Sequence, residues 1–302
     1  MQIHHTPVEV IVQAPAKLNL FFEVIAKRSD GYHEIETLMC PVTLYDTIRF
    51  SKIPSGTIDF KCDVSFGFTA LNAADSGEIP LNNNNLAVRA VELLRQHSGI
   101  RASAKLRLIK RIPTSAGLGG GSSDAAAALM AANIGWRLNW PINELTRLAA
   151  DLGSDVPFFL ASAPAICRGR GELVEPVDTL GLLNFVVLRP PAGLATEAVY
   201  KVCRPAERPL SVLPLIHVLR KGNKNEAGRM FFNRLLPAAS MLTAWIDRLK
   251  NEFDRLDCLG HGLSGSGSSY FGLCRHARHA RRIARRLQLL NIGSVFAVRS
   301  CR

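Results

Sequence analysis

The pattern of apolar and polar positions predicts strands and helices that alternate irregularly along the chain. A β-rich stretch covers residues 8–24 with a break at Pro15, and short strands are predicted over 47–68. Apolar residues recur at helical spacing over 86–97, whereas 104–112 alternate apolar and basic residues as a half-buried strand does. Later predicted elements are a helix over 142–152, a strand over 184–188, helices over 211–220, 224–235 and 238–254, a strand over 270–274, a basic helix over 276–290 and a strand over 295–299. The absence of a regular βαβ period favours an α+β fold.

The sharpest change of pattern comes directly after the predicted strand at 104–112. Four glycines and two serines lie between Gly117 and Ser123, and an alanine-rich run with strong helix propensity continues to about Ile134. Glycines let backbone N–H groups converge on one point, and a helix beginning near Ser122 adds unpaired donors and its dipole. This order predicts a phosphate site. The alternative is a plain glycine-rich connector before a serine-capped helix.

Neighbouring residues exclude the commoner motifs. No Gly-Lys-Ser/Thr follows the loop, so it is not the usual P-loop. The spacing of Gly117, Gly119 and Ser122 only approximates the dinucleotide fingerprint, and no adjacent strand with a ribose-binding acid is evident. The segment that begins at Gly262 does not fit the nucleophile elbow of the hydrolases.

Composition narrows the class of protein. The chain has 302 residues, enough for two domains, and 47% hydrophobic residues, too many for a disordered protein. A net charge of +12 indicates either a generally positive surface or an anionic ligand such as nucleic acid, a phosphorylated metabolite or acidic lipid. Seven cysteines without a CxxC pair predict reduced thiols. Neither a secretory signal nor a membrane span is evident, so we expect a cytoplasmic protein.

Three stretches, in order along most of the chain, resemble the motifs of the GHMP kinase superfamily. Residues 113–126 are similar to its phosphate-binding motif, 14–20 (APAKLNL) to its first motif and 262–268 (GLSGSGS) to its third. The resemblance implies a two-domain α+β fold with the active site in the cleft between the domains. An N-terminal ribosomal-protein-S5-like domain over 1–162 would bind ATP, and a C-terminal ferredoxin-like α/β sandwich over 163–302 would bind the substrate.

Further stretches resemble those members of the superfamily that act on a cytidine diphosphate sugar alcohol. These stretches are 17–19, 28–34, 152–159 and 168–172. They imply ATP-dependent phosphorylation of the 2-hydroxyl of a methylerythritol unit in non-mevalonate isoprenoid precursor synthesis. Mg²⁺ should accompany ATP, although no protein ligands for it can be named. Another GHMP-type kinase with a different alcohol substrate, or a basic nucleic-acid-binding protein, stays open as an alternative. We expect a monomer or homodimer without nucleic-acid or membrane partners.

The resemblance also assigns roles to residues. Asp155 would take the hydroxyl proton or orient the hydroxyl, and Lys17, which interrupts an apolar strand, would keep Asp155 ionised and stabilise developing charge. The alternatives are a helix-capping aspartate and a solvent-facing lysine. The implied ATP-binding residues are Pro113, Gly117, Leu118, Gly119, Gly120, Gly121, Ser122 and Ser123, with Asn85 and Lys110 towards the adenine. The implied substrate-binding residues are Asn19, Tyr32, His33, Tyr200, Ser264, Gly265 and Gly267, with the aromatic side chains on cytosine.

Two stretches depart from these expectations. The family often has an Asn-Asp-Leu-Glu-like stretch where this chain has Asn233, Arg234, Leu235 and Leu236. The acidic residues of that stretch are missing here, so a divergent substrate preference is a hypothesis. The basic run over 275–286 lacks interleaved aromatic residues. It is therefore predicted to be a solvated helix face rather than a nucleic-acid site.

Overall fold

Two β-sheets organise the chain in the computed structural model, which describes residues 1–54, 56–65, 79–178 and 180–301. Within these residues the first sheet has eight strands and the second has four. The first sheet contains β1 (Gln2–His5), β2 (Val10–Lys27), β3 (His33–Ile53), β4 (Ile58–Val64), β5 (Ser103–Lys110), β6 (Ala165–Gly169), β7 (Leu173–Pro176) and β9 (Phe232–Asn233). The second contains β8 (Asn184–Arg189), β10 (Gly260–Leu263), β11 (Tyr270–Cys274) and β12 (Ser294–Arg299). The helices of the same residues are α1 (Leu86–Ser98), α2 (Gly120–Gly135), α3 (Ile142–Ala150), α4 (Val156–Ala161), α5 (Thr196–Val202), α6 (Leu213–Arg220), α7 (Lys224–Arg229), α8 (Leu236–Leu242), α9 (Ala244–Asp254) and α10 (Ala277–Leu289).

β2 and β3 form a long antiparallel hairpin. Its turn contains the Asp30–Gly31 dipeptide, which favours turns, and Gly31 has a φ of +87°. The break predicted at Pro15 is wrong, because β2 continues through this residue with a register shift between Pro15 and Ala16. Such an irregularity accommodates a residue without an amide hydrogen. The short strands predicted over 47–68 are the end of β3 and the separate strand β4, and 66–68 lie outside the described residues.

The alanine-rich helix α2 confirms the predicted helix, but it begins at Gly120 rather than near Ser122. Its alanines are buried, and their small side chains let the helix pack closely on β2 and β3. The approach is so close that a Cβ atom on Gly135 would lie 2.4 Å from a ring carbon of Phe50. This packing fixes the start of α2 relative to the sheet.

The second sheet is antiparallel in the order β10–β11–β8–β12 and packs against helices, which confirms the predicted α/β sandwich. The helix predicted over 224–235 ends at Arg229, because the chain then extends into β9 and pairs in parallel with β2. The helix predicted over 238–254 is divided at Thr243. This residue has an extended backbone, and its hydroxyl caps α9 by accepting from the Trp245 N–H at 3.3 Å.

Strands from the second half of the chain also belong to the first sheet. β6 and β7, which follow the predicted boundary at 162/163, pair with β3 and with each other. The two halves share a hydrophobic core, in which Leu18 and Leu118 belong to the same cluster as Phe185 and Phe271. This shared packing holds the two halves in a fixed relation, and the boundary itself stays a prediction.

The seven cysteines are free thiols, as their number and spacing predict. Four of them, Cys40, Cys167, Cys203 and Cys274, are buried and behave as small apolar residues. Among the described residues, every helix is too short or too polar to cross a bilayer.

Candidate active site

A cleft of about 1070 Å³ lies between residues 117–123, which we call the glycine-rich loop, the tip of the β2–β3 hairpin, and the segment 262–268 that resembles the third family motif. This volume suits a ligand of nucleotide size or larger. The predicted site residues that line it are Lys17, Tyr32, His33, Lys110, Pro113, Gly117, Leu118, Gly119, Gly120, Gly121, Ser122, Asp155, Tyr200 and Gly265. The fold therefore brings together residues that are far apart in the sequence.

Two left-handed glycines shape the glycine-rich loop. Gly117 and Gly119 have φ angles of +71° and +68°, which residues with side chains rarely adopt. A Cβ on Gly117 would lie 2.0 Å from the Ser264 carbonyl oxygen, and one on Gly119 would lie 2.8 Å from the Phe159 ring. Helix α2 begins at Gly120 without a side-chain cap. Its first-turn N–H groups and dipole are therefore available to an anion in the cleft.

Lys17 and Asp155 meet at the centre of the cleft, with 3.6 Å between Nζ and Oδ2. β2 carries Lys17 inward, so that its side chain is 5% exposed, whereas the Asp155 side chain is 30% exposed. Lys17 Nζ donates to Asn19 Oδ1 at 2.5 Å, and Asn19 Nδ2 donates to Thr37 Oγ1 at 2.8 Å. Asp155 makes no capping hydrogen bond to α4. The pair combines a fixed cation with a carboxylate that a ligand can reach.

The segment 262–268 packs beside Lys17 and the glycine-rich loop. Ser264 Oγ accepts from the Asn19 N–H at 3.3 Å and donates to the Gly117 carbonyl at 2.9 Å. Gly265 has a φ of +56°, and a Cβ there would lie 3.2 Å from Lys17 Nζ. One hydroxyl group thus ties the strand of Lys17 to the glycine-rich loop.

Lys110 belongs to a buried ionic cluster that the sequence analysis did not predict. Its ammonium contacts Asp46 and lies 2.8 Å from Asp124 Oδ2, and all three side chains are almost fully buried. Burial lowers the pKa of Lys110, but the two carboxylates outweigh burial, so this pKa is raised. Burial raises the pKa of Asp124 despite the charge of Lys110. A Cβ on Gly120 would lie 2.8 Å from Lys110 Nζ, so the cluster lies directly behind the first turn of α2.

The predicted aromatic residues lie close together in the cleft lining. The ring centroids of His33 and Tyr200 are 5.0 Å apart, and the Arg170 guanidinium lies 4.9 Å from the centroid of the exposed Tyr32 ring. Burial and the charge of Lys27 lower the pKa of His33, which is therefore neutral at pH 7. Arg170 and Lys27 line the cleft without having been predicted as site residues.

Five predicted site residues are not part of the cleft lining: Asn19, Asn85, Ser123, Ser264 and Gly267. Asn85 caps α1, because its Oδ1 accepts from the Ala87 N–H at 3.0 Å and its Nδ2 donates to the Pro80 carbonyl at 2.9 Å. Ser123 is fully buried within α2. The adenine contact of Asn85 stays a prediction.

A dedicated metal cage, meaning three or more His, Cys, Asp or Glu side chains around one point, is absent from the described part of the chain. The cleft lining includes two residues with carboxylates, Asp155 and Glu197, and the serine Ser122 of the glycine-rich loop. This donor set fits Mg²⁺, which usually keeps water and phosphate ligands and takes only one or two carboxylates.

Helix α10 confirms the predicted solvated face. Its apolar residues Ile283 and Leu287 are buried, whereas its arginines are exposed. Asp257 accepts from Arg275 at 3.1 Å and from Arg282 at 2.6 Å, which neutralises part of the charge.

Both halves of the chain match models of one kinase class. Residues 85–163 match the GHMP kinases N terminal domain, and residues 215–291 match the GHMP kinases C terminal domain. The fold and the glycine-loop cleft are thus those of a GHMP kinase, an ATP-dependent phosphotransferase.

More specific similarity comes from proteins named 4-diphosphocytidyl-2-C-methyl-D-erythritol kinase. One from Pelotomaculum thermopropionicum is 37% identical over 275 residues, which cover 90% of this chain and 92% of the relative. One from Shouchella clausii is 35% identical over 292 residues, covering 96% and 94%. A crystal structure of 4-(cytidine 5'-diphospho)-2C-methyl-D-erythritol kinase has a TM-score of 0.79 at 33% identity, with coverage of 97% and 100%. The chain belongs to the 4-diphosphocytidyl-2-C-methyl-D-erythritol kinase family.

The fold is also shared more widely. A homoserine kinase from Cytophaga hutchinsonii has a TM-score of 0.73, covering 100% of this chain and 97% of its own, at 19% identity. At that identity the likeness concerns the fold and carries no information on the alcohol that is phosphorylated.

Proposed function

We propose that this protein transfers the γ-phosphoryl group of ATP to the 2-hydroxyl of 4-diphosphocytidyl-2-C-methyl-D-erythritol, a step of isoprenoid precursor synthesis. The observation that carries the proposal is the Lys17–Asp155 pair, with 3.6 Å between Nζ and Oδ2, in a cleft lined by the glycine-rich loop and by Tyr32 and His33. Relatives named for this activity span nearly the whole chain. The substrates are soluble small molecules, so we also expect the protein to act in the cytoplasm.

The glycine-rich loop from Gly117 to Ser123 binds the polyphosphate of ATP in this proposal. The left-handed φ angles of Gly117 and Gly119 allow neighbouring amides to converge on one anion, and the start of α2 adds the positive end of its dipole. Phosphoryl transfer depends mainly on positioning and on charge stabilisation, which is what such a loop supplies. Magnesium neutralises phosphate charge when it is bound with ATP. The Ser122 hydroxyl and the Asp155 or Glu197 carboxylate, all from residues that line the described cleft, would be the protein groups that hold it.

Asp155 orients the 2-hydroxyl and accepts its proton. The hydroxyl oxygen forms a bond to the γ-phosphorus while the bond from this phosphorus to the bridging oxygen of ADP breaks. Lys17 stabilises negative charge on the transferring group, and Asn19 holds the ammonium at 2.5 Å so that it need not reorganise. Asp155 can reach a hydroxyl because its side chain keeps 30% of its surface exposed.

Tyr32, His33 and Tyr200 bind the cytosine end of the substrate in this proposal. Aromatic faces stack on a flat base, and a neutral imidazole retains one acceptor nitrogen for an exocyclic amino group. The contact between His33 and Tyr200, with centroids 5.0 Å apart, places the imidazole beside a stacking face. The diphosphate of the substrate would then lie between these aromatic residues and the Lys17–Asp155 pair.

An ADP-release assay tests the proposal. The protein is supplied with the cytidyl substrate, homoserine or mevalonate, and Asp155→Asn is compared with Asp151→Asn, an exposed aspartate at the end of α3. We expect turnover of the cytidyl substrate alone, a loss of about 10²–10⁴-fold in Asp155→Asn, and wild-type activity in the control. Preferred turnover of homoserine or mevalonate would contradict the substrate assignment, and an active Asp155→Asn would contradict the role of Asp155.

A further inference from the structure

Asn233 and Arg234 lie where the second half of the chain joins the first sheet. β9 pairs in parallel with β2, with Asn233 opposite Phe22, and the Arg234 N–H donates to the Phe22 carbonyl at 2.8 Å. We call these two residues the bracket. They occupy the stretch in which the family resemblance led us to expect acidic residues.

The Asn233 side chain is almost buried, and each of its polar groups is paired. Its Nδ2 donates to the Leu263 carbonyl at 2.9 Å and to the Gly265 carbonyl at 2.8 Å, and its Oδ1 accepts from the Leu235 N–H at 2.9 Å. The two carbonyls flank Ser264 on either side. Asn233 therefore fixes the backbone of the segment that touches the Lys17 ammonium.

The path from Asn233 to the reacting groups is short. Ser264, which lies between the two bound carbonyls, contacts the Asn19 N–H and the Gly117 carbonyl. The Gly265 backbone stands so close to Lys17 that a Cβ there would lie 3.2 Å from Nζ and 3.1 Å from Asn19 Oδ1. A shift of this segment would therefore displace the Lys17 ammonium, whereas the start of α2 stays fixed by its packing on the first sheet.

Arg234 attaches β9, the strand that contains Asn233, to Glu23 of β2. Its Nε and NH2 groups donate to the two oxygens of Glu23 at 2.7 and 2.9 Å, a bidentate pair in which Glu23 is fully buried. Glu23 Oε2 also accepts from the Leu210 N–H at 3.0 Å, in the segment that follows α5 and its Tyr200. Arg234 is not among the residues that line the cleft.

We propose that the bracket is a positioning device for phosphoryl transfer. Asn233 sets the Ser264–Gly265 backbone against Lys17 and Asn19, and the Glu23–Arg234 pair locks the bracket to β2. Arg234 thereby helps to position the Ser264–Gly265 backbone, and it does not alter substrate preference. The inference rests on the proposed role of Lys17 in catalysis.

The test compares Asn233→Asp with Asn133→Asp. Asn133 is an equally buried asparagine that bonds to the Trp140 backbone at 2.9 and 3.1 Å, and it is not among the residues lining the cleft. Both variants replace an amide donor by a carboxylate oxygen facing a carbonyl, so both should lower the melting temperature. We expect Asn233→Asp to reduce kcat about 10–100-fold, since a displacement of about 1 Å can reduce rates by that order. Its dissociation constant for a non-hydrolysable ATP analogue should stay within about threefold of wild type, and Asn133→Asp should keep wild-type kcat.

Equal kcat values for folded Asn233→Asp and wild type would overturn the proposal, as would an equal loss in the Asn133→Asp control. If Asn233→Asp does not fold, Asn233→Ser, which keeps one donor, should show an intermediate kcat, and wild-type kcat in that variant would overturn the proposal. A wild type that fails to turn over the cytidyl substrate while binding the ATP analogue would instead contradict the proposed function.

A second pair of variants separates positioning from substrate preference. Arg234→Met should reduce kcat about tenfold with little change in KM for the cytidyl substrate, because it leaves the buried Glu23 carboxylate without its cation and loosens β9. Arg234→Lys should retain most of kcat because the charge stays. Unchanged kcat in Arg234→Met, with KM for the cytidyl substrate altered, would overturn the positioning role and support a role in specificity.

Discussion

Lys17 and Asp155 face each other with 3.6 Å between ammonium and carboxylate, and the two side chains differ sharply in exposure, at 5% and 30%. Lys17 is buried and tied to Asn19, so it cannot follow a ligand. Asp155, in contrast, presents an accessible carboxylate at the start of α4. A fixed cation beside a reachable carboxylate is suited to stabilising charge on one group while a proton leaves another.

Replacing Lys17 should impair the reaction far more than the fold. Lys17→Met removes a buried charge whose carboxylate partner remains partly solvated, so the free energy of unfolding should change little. We expect kcat to fall about 10²–10³-fold, because a preorganised cation is lost from the transition state. The measurement is kcat beside a urea unfolding curve. A variant that unfolds readily but retains kcat per folded molecule would contradict this assignment.

The close approach of Gly117 to Ser264 predicts a strong steric effect. Gly117→Ala puts a Cβ 2.0 Å from the Ser264 carbonyl oxygen, whereas Gly222→Ala, at a similar φ of +73°, meets nothing within 4 Å. The control should lose about 1–2 kcal/mol from its left-handed conformation alone. Gly117→Ala should lose more and should bind the ATP analogue weakly. Calorimetry of unfolding and of binding measures both effects, and equal losses in the two variants would refute the clash.

The Lys110 cluster predicts a stability that depends on pH. Lys110→Met leaves Asp46 and Asp124 buried without a cation, which should reduce the free energy of unfolding by about 3–5 kcal/mol at pH 7. Burial raises the folded-state pKa of Asp124 and the Lys110 charge lowers it, so removing the ammonium raises this pKa further above its unfolded value. The destabilisation should therefore be largest at neutral pH and should diminish as the pH falls and Asp124 protonates. Urea unfolding between pH 5 and 8 measures this trend, and a loss independent of pH would contradict it.

His33 predicts the pH dependence of substrate binding. Its pKa lies below the ordinary value because of burial and the Lys27 charge, so the imidazole stays neutral at pH 7. KM for the cytidyl substrate should be constant above pH 7 and should rise at acidic pH, as protonation removes the acceptor nitrogen. Lys27→Met should raise this pKa and shift the increase in KM to higher pH. A shift to lower pH, or an increase that persists in His33→Gln, would exclude His33 as the titrating group.

Those parts of the site that consist of contiguous residues can be predicted from the sequence. The strand, the glycine-rich turn and the alanine-rich helix were all evident, because glycine and alanine have opposite helix propensities. The start of α2 was misplaced by two residues, since Gly120 is a poor helix former that tertiary packing nevertheless holds in the helix. The strand break at Pro15 was wrong because a register shift absorbs the missing amide.

The sequence did not reveal contacts between distant residues. Asp46 and Asp124 surround Lys110 only because β3, β5 and α2 pack together. A signal was nevertheless present, because Lys110 shares the inward face of β5 with Leu106 and Leu108. The strand β9 could not be foreseen within a helical pattern, because its pairing with β2 is a tertiary contact. For the bracket residues Asn233 and Arg234, the comparison with the family motif consequently leads only to a hypothesis about substrate preference.

The most direct test of the account is the structure of the protein with a non-hydrolysable ATP analogue and the cytidyl substrate bound together. We predict that the polyphosphate lies on the amides between Gly117 and Ser123. The substrate 2-hydroxyl should then be within hydrogen-bond distance of Asp155 and close to the Lys17 ammonium. A triphosphate bound elsewhere, or a 2-hydroxyl out of reach of both side chains, would contradict the central claim.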